Sequence, residues 1–254
     1  MGARPDRLDG LDNGHRTLKN REPRRTNPAP APIPIQLHIR QPPVRTPPLR
    51  ADDNRPLGWP PQLARDDGVT SMKVLLLGAT GPTGGHVLAH ALEAGDAISV
   101  LARRPEALAA IKDRITIFQG DATSVDDVAR AAEGQDAVIA ALGRGSSLRP
   151  EGLFTGSTRA VVEAMTRAGV KRLVWLSSYG VGETIRTASP LQRLMYRTVL
   201  RSTYADKAAS ERILRAGDLE LTIVYPTTLT NDPARGAYRA AESIPMRGMP
   251  RISR

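Results

Sequence analysis

The sequence predicts an α/β fold built on a doubly wound parallel sheet, and three observations lead there. Short apolar segments alternate with helix-length segments from Met72 onward. The first of them, Val74-Leu75-Leu76-Leu77, lacks polar alternation, as a strand buried on both faces does. A glycine-rich turn then joins that strand to the segment that follows. The preceding stretch is different in kind: 13 of the 21 prolines and 12 of the 36 basic residues lie in the first 71 of 254 residues. The expected organisation is a Pro/Arg-rich leader, 1–71, and one folded domain, 72–254, long enough to bury a single core.

The strand at Lys73–Leu77 leads into a helix from Gly84 to Ala94, stopped at Gly95 by the residue best suited to a left-handed helix end. Ile98–Leu101 reads as the second strand, and Pro105–Ile111 as a helix opened by proline, whose fixed φ suits a first helical turn. Ile115–Phe118 is a third strand, Ser124–Ala132 a serine-capped helix, and Ala137–Ala141 a fourth strand. A long helix from about Thr155 to Ala168, a strand at Leu173–Leu176, helices at Pro190–Leu200 and Tyr204–Arg215, and a strand at Leu221–Val224 complete the series. Strands and helices alternating at these lengths imply βαβ units with right-handed crossovers, a Rossmann-like architecture.

The leader has no such pattern. Pro28-Ala29-Pro30-Ala31-Pro32-Ile33-Pro34 lacks backbone donors at alternate positions and favours extended, polyproline-like conformations, so disorder is expected to about residue 71. Arg24, Arg25, Arg40, Arg45 and Arg50 could meet phosphates, but Asp52, Asp53, Asp66 and Asp67 interrupt the charge and Trp59 is the leader's one aromatic residue. A nucleic-acid arm is therefore not expected. The abrupt change at Met72 also fits a chain whose physiological start is Met72.

The net charge of +10 favours anionic partners, a phosphorylated cofactor included. Cysteine is absent, which excludes disulfides, thiolate-bound metal, iron–sulfur clusters and a cysteine nucleophile, and is compatible with the cytoplasmic location expected here. No apolar run reaches the roughly 18 residues a spanning helix needs, and the charged N-terminus is unlike a signal peptide, so no membrane partner is expected. Composition does not determine the oligomeric state.

Gly78-Ala79-Thr80-Gly81-Pro82-Thr83-Gly84-Gly85 sets glycines at 78, 81 and 84, between the first strand and the first helix. One glycine permits the tight turn, one lets backbone approach a pyrophosphate, and one lets the helix pack close to the sheet. The helix N-terminus adds free N–H groups and partial positive charge. Gly78, Thr80, Gly81, Pro82, Thr83 and Gly84 are thus the candidate dinucleotide loop. An acid after the second strand suits the ribose 2′-OH of NAD, whereas arginine suits the 2′-phosphate of NADP. This strand ends Leu101-Ala102-Arg103-Arg104, which favours NADP (NADPH) over NAD, although Arg104 could equally be a solvated charge. His86 and His90 share a helix face, but no acid between them and no third ligand accompanies them, so no metal is expected.

With these residues assembled, the chain resembles the atypical short-chain dehydrogenases/reductases, and within them the NAD(P)H-binding family that contains NmrA-like proteins and biliverdin/flavin reductases. The likeness runs through MKVLLLGATGPTGG, SVLARRPE, GDAT at 120–123, GQDAVIAALG at 134–143, GVKRLVWLSS at 169–178, DKAASERILRAGDLELTIVYPTTL at 206–229 and GAY at 236–238. It implies that Asp121 and Ala122 lie by the adenine, that Ala141, Leu142 and Gly143 lie under the cofactor ribose, and that Pro226, Thr227 and Thr228 flank the nicotinamide. Read without it, Asp121 is a loop-capping aspartate. The likeness stops near Pro250, where family members continue with a further helix, so the domain is expected to be C-terminally shortened.

Ligands of such sheets sit beyond the carboxyl ends of the strands, so Ser177, Ser178 and Tyr179 are expected to face the nicotinamide. Short-chain dehydrogenases commonly pair a serine with Tyr-x-x-x-Lys, whose lysine lowers the tyrosine pKa. Lys207 matches that lysine, but Thr203 stands four residues before it and Tyr204 one position late, about 100° around the helix. Biliverdin/flavin reductase-like enzymes can do without the phenol, because hydride passes directly to a stacked, electron-poor ring. The expectation is an NADPH-dependent reductase of a small, flat acceptor such as a flavin or quinone, with Ser178, Lys207 and Tyr179 catalytic and Ser177 on the cofactor. The alternatives are a non-catalytic NmrA-like NADP(H)-sensing regulator and a sugar-nucleotide epimerase relative, for which 183 residues leave little room for a substrate domain.

Overall fold

A computed structural model describes the backbone of 33–40 and residues 71–143, 152–188, 193–194, 198, 201–233, 238–244 and 250–254. The strand β1 spans Ile33–Arg40, β2 Lys73–Leu77, β3 Ala97–Ala102, β4 Thr116–Gln119, β5 Ala137–Ala140, β6 Arg172–Leu176 and β7 Glu220–Pro226. Three short strands follow, β8 Thr228–Thr230, β9 Tyr238–Ala241 and β10 Arg251–Ser253. The helices are α1 Pro82–Glu93, α2 Val125–Ala132, α3 Leu153–Ala168 and α4 Arg201–Ala216. The main sheet runs β4-β3-β2-β5-β6-β7-β1-β9, with β2 through β7 all parallel to their neighbours within that set. That six-strand order is the Rossmann order, in which the chain reverses direction across the sheet between β2 and β5.

The uninterrupted apolar run of β2 is explained by helices on both faces. Leu75 and Leu77 pack with Val138, Ala140, Leu173, Trp175, Leu221 and Ile223 against Val128 of α2, Val161 and Met165 of α3 and Leu214 of α4. The intervening Val74 and Leu76 join Ile98 and Val100 against Leu88 of α1 and Leu108. Each fully buried aliphatic side chain contributes about 1.5–3 kcal/mol, and strand periodicity sends successive ones to opposite layers.

Two elements differ from their sequence reading. The segment expected as an α-helix from Pro105 forms a 3₁₀ helix, Pro105–Arg114. With three residues per turn it aligns buried Leu108 and partly buried Ile111 in one row over the sheet. The leader, expected without structure to about residue 71, carries β1 at 33–40, antiparallel to β7 with Ile35 opposite Pro226 and Arg40 opposite Leu221. Its sequence IPIQLHIR alternates apolar Ile33, Ile35, Leu37 and Ile39 with other residues, a period of two that the surrounding prolines obscure. The expected helix at 190–200 lies largely outside the described residues. No helix among the described residues is long and apolar enough to cross a membrane.

Candidate functional site

The parallel strands β2 to β7 end on one edge of the sheet, and the expected site residues lie along that edge. After β2, Gly78 turns with φ of +87°, and a Cβ there would stand 2.6 Å from the Ala141 carbonyl oxygen. A Cβ on Gly84 would stand 2.0 Å from the Gly78 carbonyl oxygen. Main chain thus touches main chain where strand, loop and helix meet, and only glycine fits. Gly81 N–H donates to Gly78 O at 3.0 Å, closing the turn. Gly81 is also the N-cap of α1 and supplies no side-chain cap, with Pro82 at the first position, so the first-turn amides of Thr83 and Gly84 have no acceptor within the helix. Thr80 is exposed beside them.

Arg103 and Arg104 are exposed immediately after β3. After β4, Asp121 accepts from the Thr123 amide at 2.9 Å and the Thr123 hydroxyl at 2.8 Å, the loop-capping arrangement, while its own N–H donates to Asp127 Oδ2 at 3.0 Å. That amide, followed by Arg130, holds the Asp127 carboxyl below the usual carboxylate range. The neighbouring Gly120 leaves room for it, since a Cβ there would lie 2.7 Å from Asp127 Cγ. Ala122 is partly buried in the same turn. After β5, Ala141 N–H donates to Leu77 O at 2.9 Å, which brings Ala141, Leu142 and Gly143 alongside the dinucleotide loop.

After β6 the three consecutive candidates separate. Ser177 is buried and its hydroxyl donates to Glu211 Oε1 at 2.6 Å, so it turns inward rather than toward the nicotinamide as expected. Alternation at a strand end sends its successor the other way. Ser178 is partly buried and its Oγ accepts from Lys207 Nζ at 2.6 Å. Tyr179, expected to be catalytic, is buried in a small cluster with Ala188, Ile244, Tyr204 and Ala241. Tyr204 donates its hydroxyl to the Tyr179 carbonyl at 3.2 Å, the consequence of standing one helical position past the usual place. Thr203 occupies that place.

Lys207 is positioned by two elements. Its ammonium lies 4.8 Å from the centroid of the Phe154 ring on α3, a cation–π contact. The preceding residue, Asp206, accepts from the Phe154 and Thr155 amides at 3.0 and 3.1 Å, and from the Thr155 hydroxyl. Asp206 therefore caps α3, whose own N-cap is Gly152, and ties the lysine-bearing turn of α4 to that helix start. Burial lowers the Lys207 pKa to about 8 against an opposing contribution from Glu211. Removing water from an ammonium favours its neutral form.

Where β7 passes into β8, Pro226 and Thr227 are buried and Thr228 exposed. Backbone bonds from Ser177 N to Val224 O at 2.9 Å and from Tyr179 N to Pro226 O at 3.0 Å hold this segment against the β6 end. The Thr227 hydroxyl is buried without a hydrogen-bond partner among the described residues, at the position that the family resemblance implies for the nicotinamide. Strand β10 pairs with β8 and brings Arg254 to the dinucleotide loop, where its Nε donates to Thr83 Oγ1 at 3.2 Å and its guanidinium also bonds Asn231. Sequence reasoning missed Arg254, because 171 residues separate it from Thr83. Glu211 was missed as well; an acid on a helix reads as solvated until its burial is seen. His90, on α1, pairs with Glu93 at 3.3 Å.

The glycine cradle, the first-turn amides left without an acceptor in the helix and the Thr227 hydroxyl without a partner among the described residues fit a nicotinamide dinucleotide. Residues 78–254 match the profile of the NAD(P)H-binding family. The chain belongs to that family, and its fold is a Rossmann-like α/β fold. Among curated proteins it is similar to the uncharacterized sugar epimerase YhfK of Bacillus subtilis, 28% identical over 180 residues, covering 68% of this chain and 79% of that protein. Its fold is shared with ChuY, an anaerobillin reductase from Escherichia coli O157:H7, at TM-score 0.59 and 22% identity over 70% of this chain and 84% of that one. It is shared too with a Veillonella parvula short-chain dehydrogenase/reductase in complex with NADP, at TM-score 0.55 and 18% identity over 72% and 82% of the respective chains.

Proposed function

We propose that this protein is an NADPH-dependent reductase that passes hydride to a small, flat acceptor such as a flavin or quinone. The observation that carries the reading is the Lys207–Ser178 pair, an amine 2.6 Å from a hydroxyl at the carboxyl edge of the sheet, with threonine where a phenolic acid would stand. A bound nicotinamide supplies the hydride. The first-turn amides of Thr83 and Gly84 would hold the pyrophosphate, Arg103 and Arg104 the 2′-phosphate, and the turns at Asp121-Ala122 and Ala141-Leu142-Gly143 the adenosine. The Thr227 hydroxyl would bond the carboxamide, with Pro226 and Thr228 beside it.

Proton supply falls to the protein's own side chains. As an ammonium, Lys207 donates to Ser178 Oγ and leaves the serine proton free to point at the acceptor. The heteroatom of the acceptor that gains charge takes that proton, and Lys207 replaces it. With its pKa lowered to about 8, Lys207 loses its donor form as pH rises through that value, so turnover is expected to fall on the alkaline side of about 8.

Steady-state NADPH oxidation with FMN, dichlorophenolindophenol or quinones tests the reading. Turnover with an alkaline limb near pH 8, abolished in Lys207→Met, is the expected result. Tight NADPH binding without turnover would instead favour a cofactor-sensing regulator, the reading supported by Tyr204 being bonded to a backbone carbonyl. Interconversion of a nucleotide sugar without net NADPH consumption would favour the epimerase activity named for the Bacillus subtilis relative.

A further inference from the structure

Beneath Lys207 and Ser178 lies a buried chain of polar groups that the proton step above does not use. Glu211, one helical turn beyond Lys207 on α4, is only 2% exposed. Its Oε1 accepts from Ser177 at 2.6 Å and its Oε2 from the Tyr225 hydroxyl at 2.8 Å. Tyr225 on β7 in turn accepts from Arg215 Nη2 at 2.9 Å, and that same guanidinium nitrogen stands 4.0 Å from Glu211 Oε2. The turn after β6 is shaped around the carboxyl group: Gly182 has φ of +55°, and a Cβ there would lie 2.8 Å from Glu211 Oε2. Three elements therefore converge on one carboxyl group directly under the edge where Ser178 emerges.

Burying a charge among polar partners is expensive, and apolar side chains of similar volume would commonly hold these elements together as well or better. Two features tie this group to the edge above it. It grips Ser177, the neighbour of Ser178, and residues four apart on a helix share a face, so Glu211 and Lys207 lie on the same side of α4 and the Glu211 charge acts on the ammonium through space.

We propose that Glu211 is a positioning residue: its bond to Ser177 fixes the turn that presents Ser178, and its negative charge keeps Lys207 a cation against the cost of burial. The groups facing this pair are Lys207 and Arg215 from α4, Ser177 and Ser178 from the β6 end, Tyr225 from β7 and the Phe154 ring from α3. Of these, Tyr225 is held protonated by burial and by Glu211 itself, so it remains a donor. Burial raises the Glu211 pKa, opposed by the Ser177 and Tyr225 bonds, Arg215 and Lys207. The proposal rests on the reductase reading for what the lysine proton is used for, but not for the placement of Glu211 against Ser177.

The test is a lysine titration on the full-length protein without cofactor. The chain has five lysines, Lys19, Lys73, Lys112, Lys171 and Lys207, so the ¹³Cε and ¹⁵Nζ resonances of Lys207 can be assigned from their disappearance in Lys207→Arg. In Glu211→Gln, a near-isosteric change, the Lys207 midpoint is expected to fall by about one pH unit, as loss of a neighbouring opposite charge requires. The alkaline limb of NADPH oxidation should move with it. Glu211→Asp, which keeps the charge, should restore most of the difference. A midpoint unmoved in folded Glu211→Gln overturns the proposal. Should that variant fail to fold, the wild type decides: Lys207 should show a second, smaller inflection on the acid side as Glu211 takes up its proton, and a single inflection contradicts the coupling. A shifted midpoint without turnover on any acceptor would leave the positioning role standing and remove the reductase reading.

Discussion

Around β2 and α1 the candidate site is made of main chain, whereas around β6, α4 and β7 it is made of side chains. In the first region, Gly84 and Gly78 sit where a single methyl group would collide with a carbonyl oxygen, and the groups offered to a ligand are amides. In the second, Lys207, Ser178, Ser177, Glu211 and Tyr225 form a linked set of buried or partly buried polar groups. The two regions should fail differently. The backbone region is steric and insensitive to pH; the side-chain region is electrostatic, tolerant of isosteric change in its fold and sensitive to pH in its chemistry.

The largest effect is expected at Gly84. A Cβ placed 2.0 Å from the Gly78 carbonyl oxygen forces strand and helix apart, and Gly84→Ala should cost about 3 kcal/mol by overpacking and remove NADPH binding. Denaturant unfolding and a fluorescence titration of the nucleotide check both; near-normal binding would show that the close approach is not required. Lys207→Met should lower turnover by about 10²-fold or more while changing the NADPH Kd little. Its stability sharpens the contrast further. Because the folded-state pKa lies below the ordinary lysine value, the unfolded chain binds the extra proton between about pH 8 and 10.5, and this group's penalty is relieved as pH rises through that window. The variant should therefore be at least as stable as wild type at pH 7 and lack that alkaline gain, as thermal unfolding at pH 7 and 9.5 would show.

Arginine substitutions divide the first region again. Arg103→Ala is expected to weaken NADPH by about tenfold, the scale of one charge-assisted contact, while leaving NADH nearly unchanged; equal losses would remove the 2′-phosphate assignment. Arg254→Ala takes away a cation bonded to Thr83 at the α1 N-terminus. A loss of about threefold for both nucleotides, smaller at high salt, is expected from a partly exposed charge.

The same contrast explains what could be read from the chain. Strand, turn and helix around Gly78 to Gly84 are local, so spacing and glycine placement expose them. The parallel, doubly wound sheet of β2 to β7 followed from alternating elements and the handedness of their connections; the order of its strands came from the structure. The period of three in the Leu108–Ile111 segment and the alternation in Ile33–Arg40 were present too, but proline-rich surroundings and short length hid their meaning. Side-chain pairings were not legible: Ser178 meets Lys207 across 29 residues and Ser177 meets Glu211 across 34. Whether Ser177 or Ser178 faces the site depends on the phase in which β6 ends, which a run of two serines leaves undetermined. Asp121 shows the converse, since its local capping bonds to Thr123 were readable from the loop sequence alone.

Isothermal titration of the folded protein with NADPH and with NADH tests the dinucleotide site most directly. Saturable binding of NADPH at one site per chain, about tenfold tighter than NADH, is the expected result. Heat from neither nucleotide, or tighter binding of NADH, would contradict the assignment of the Gly78–Gly84 loop and of Arg103.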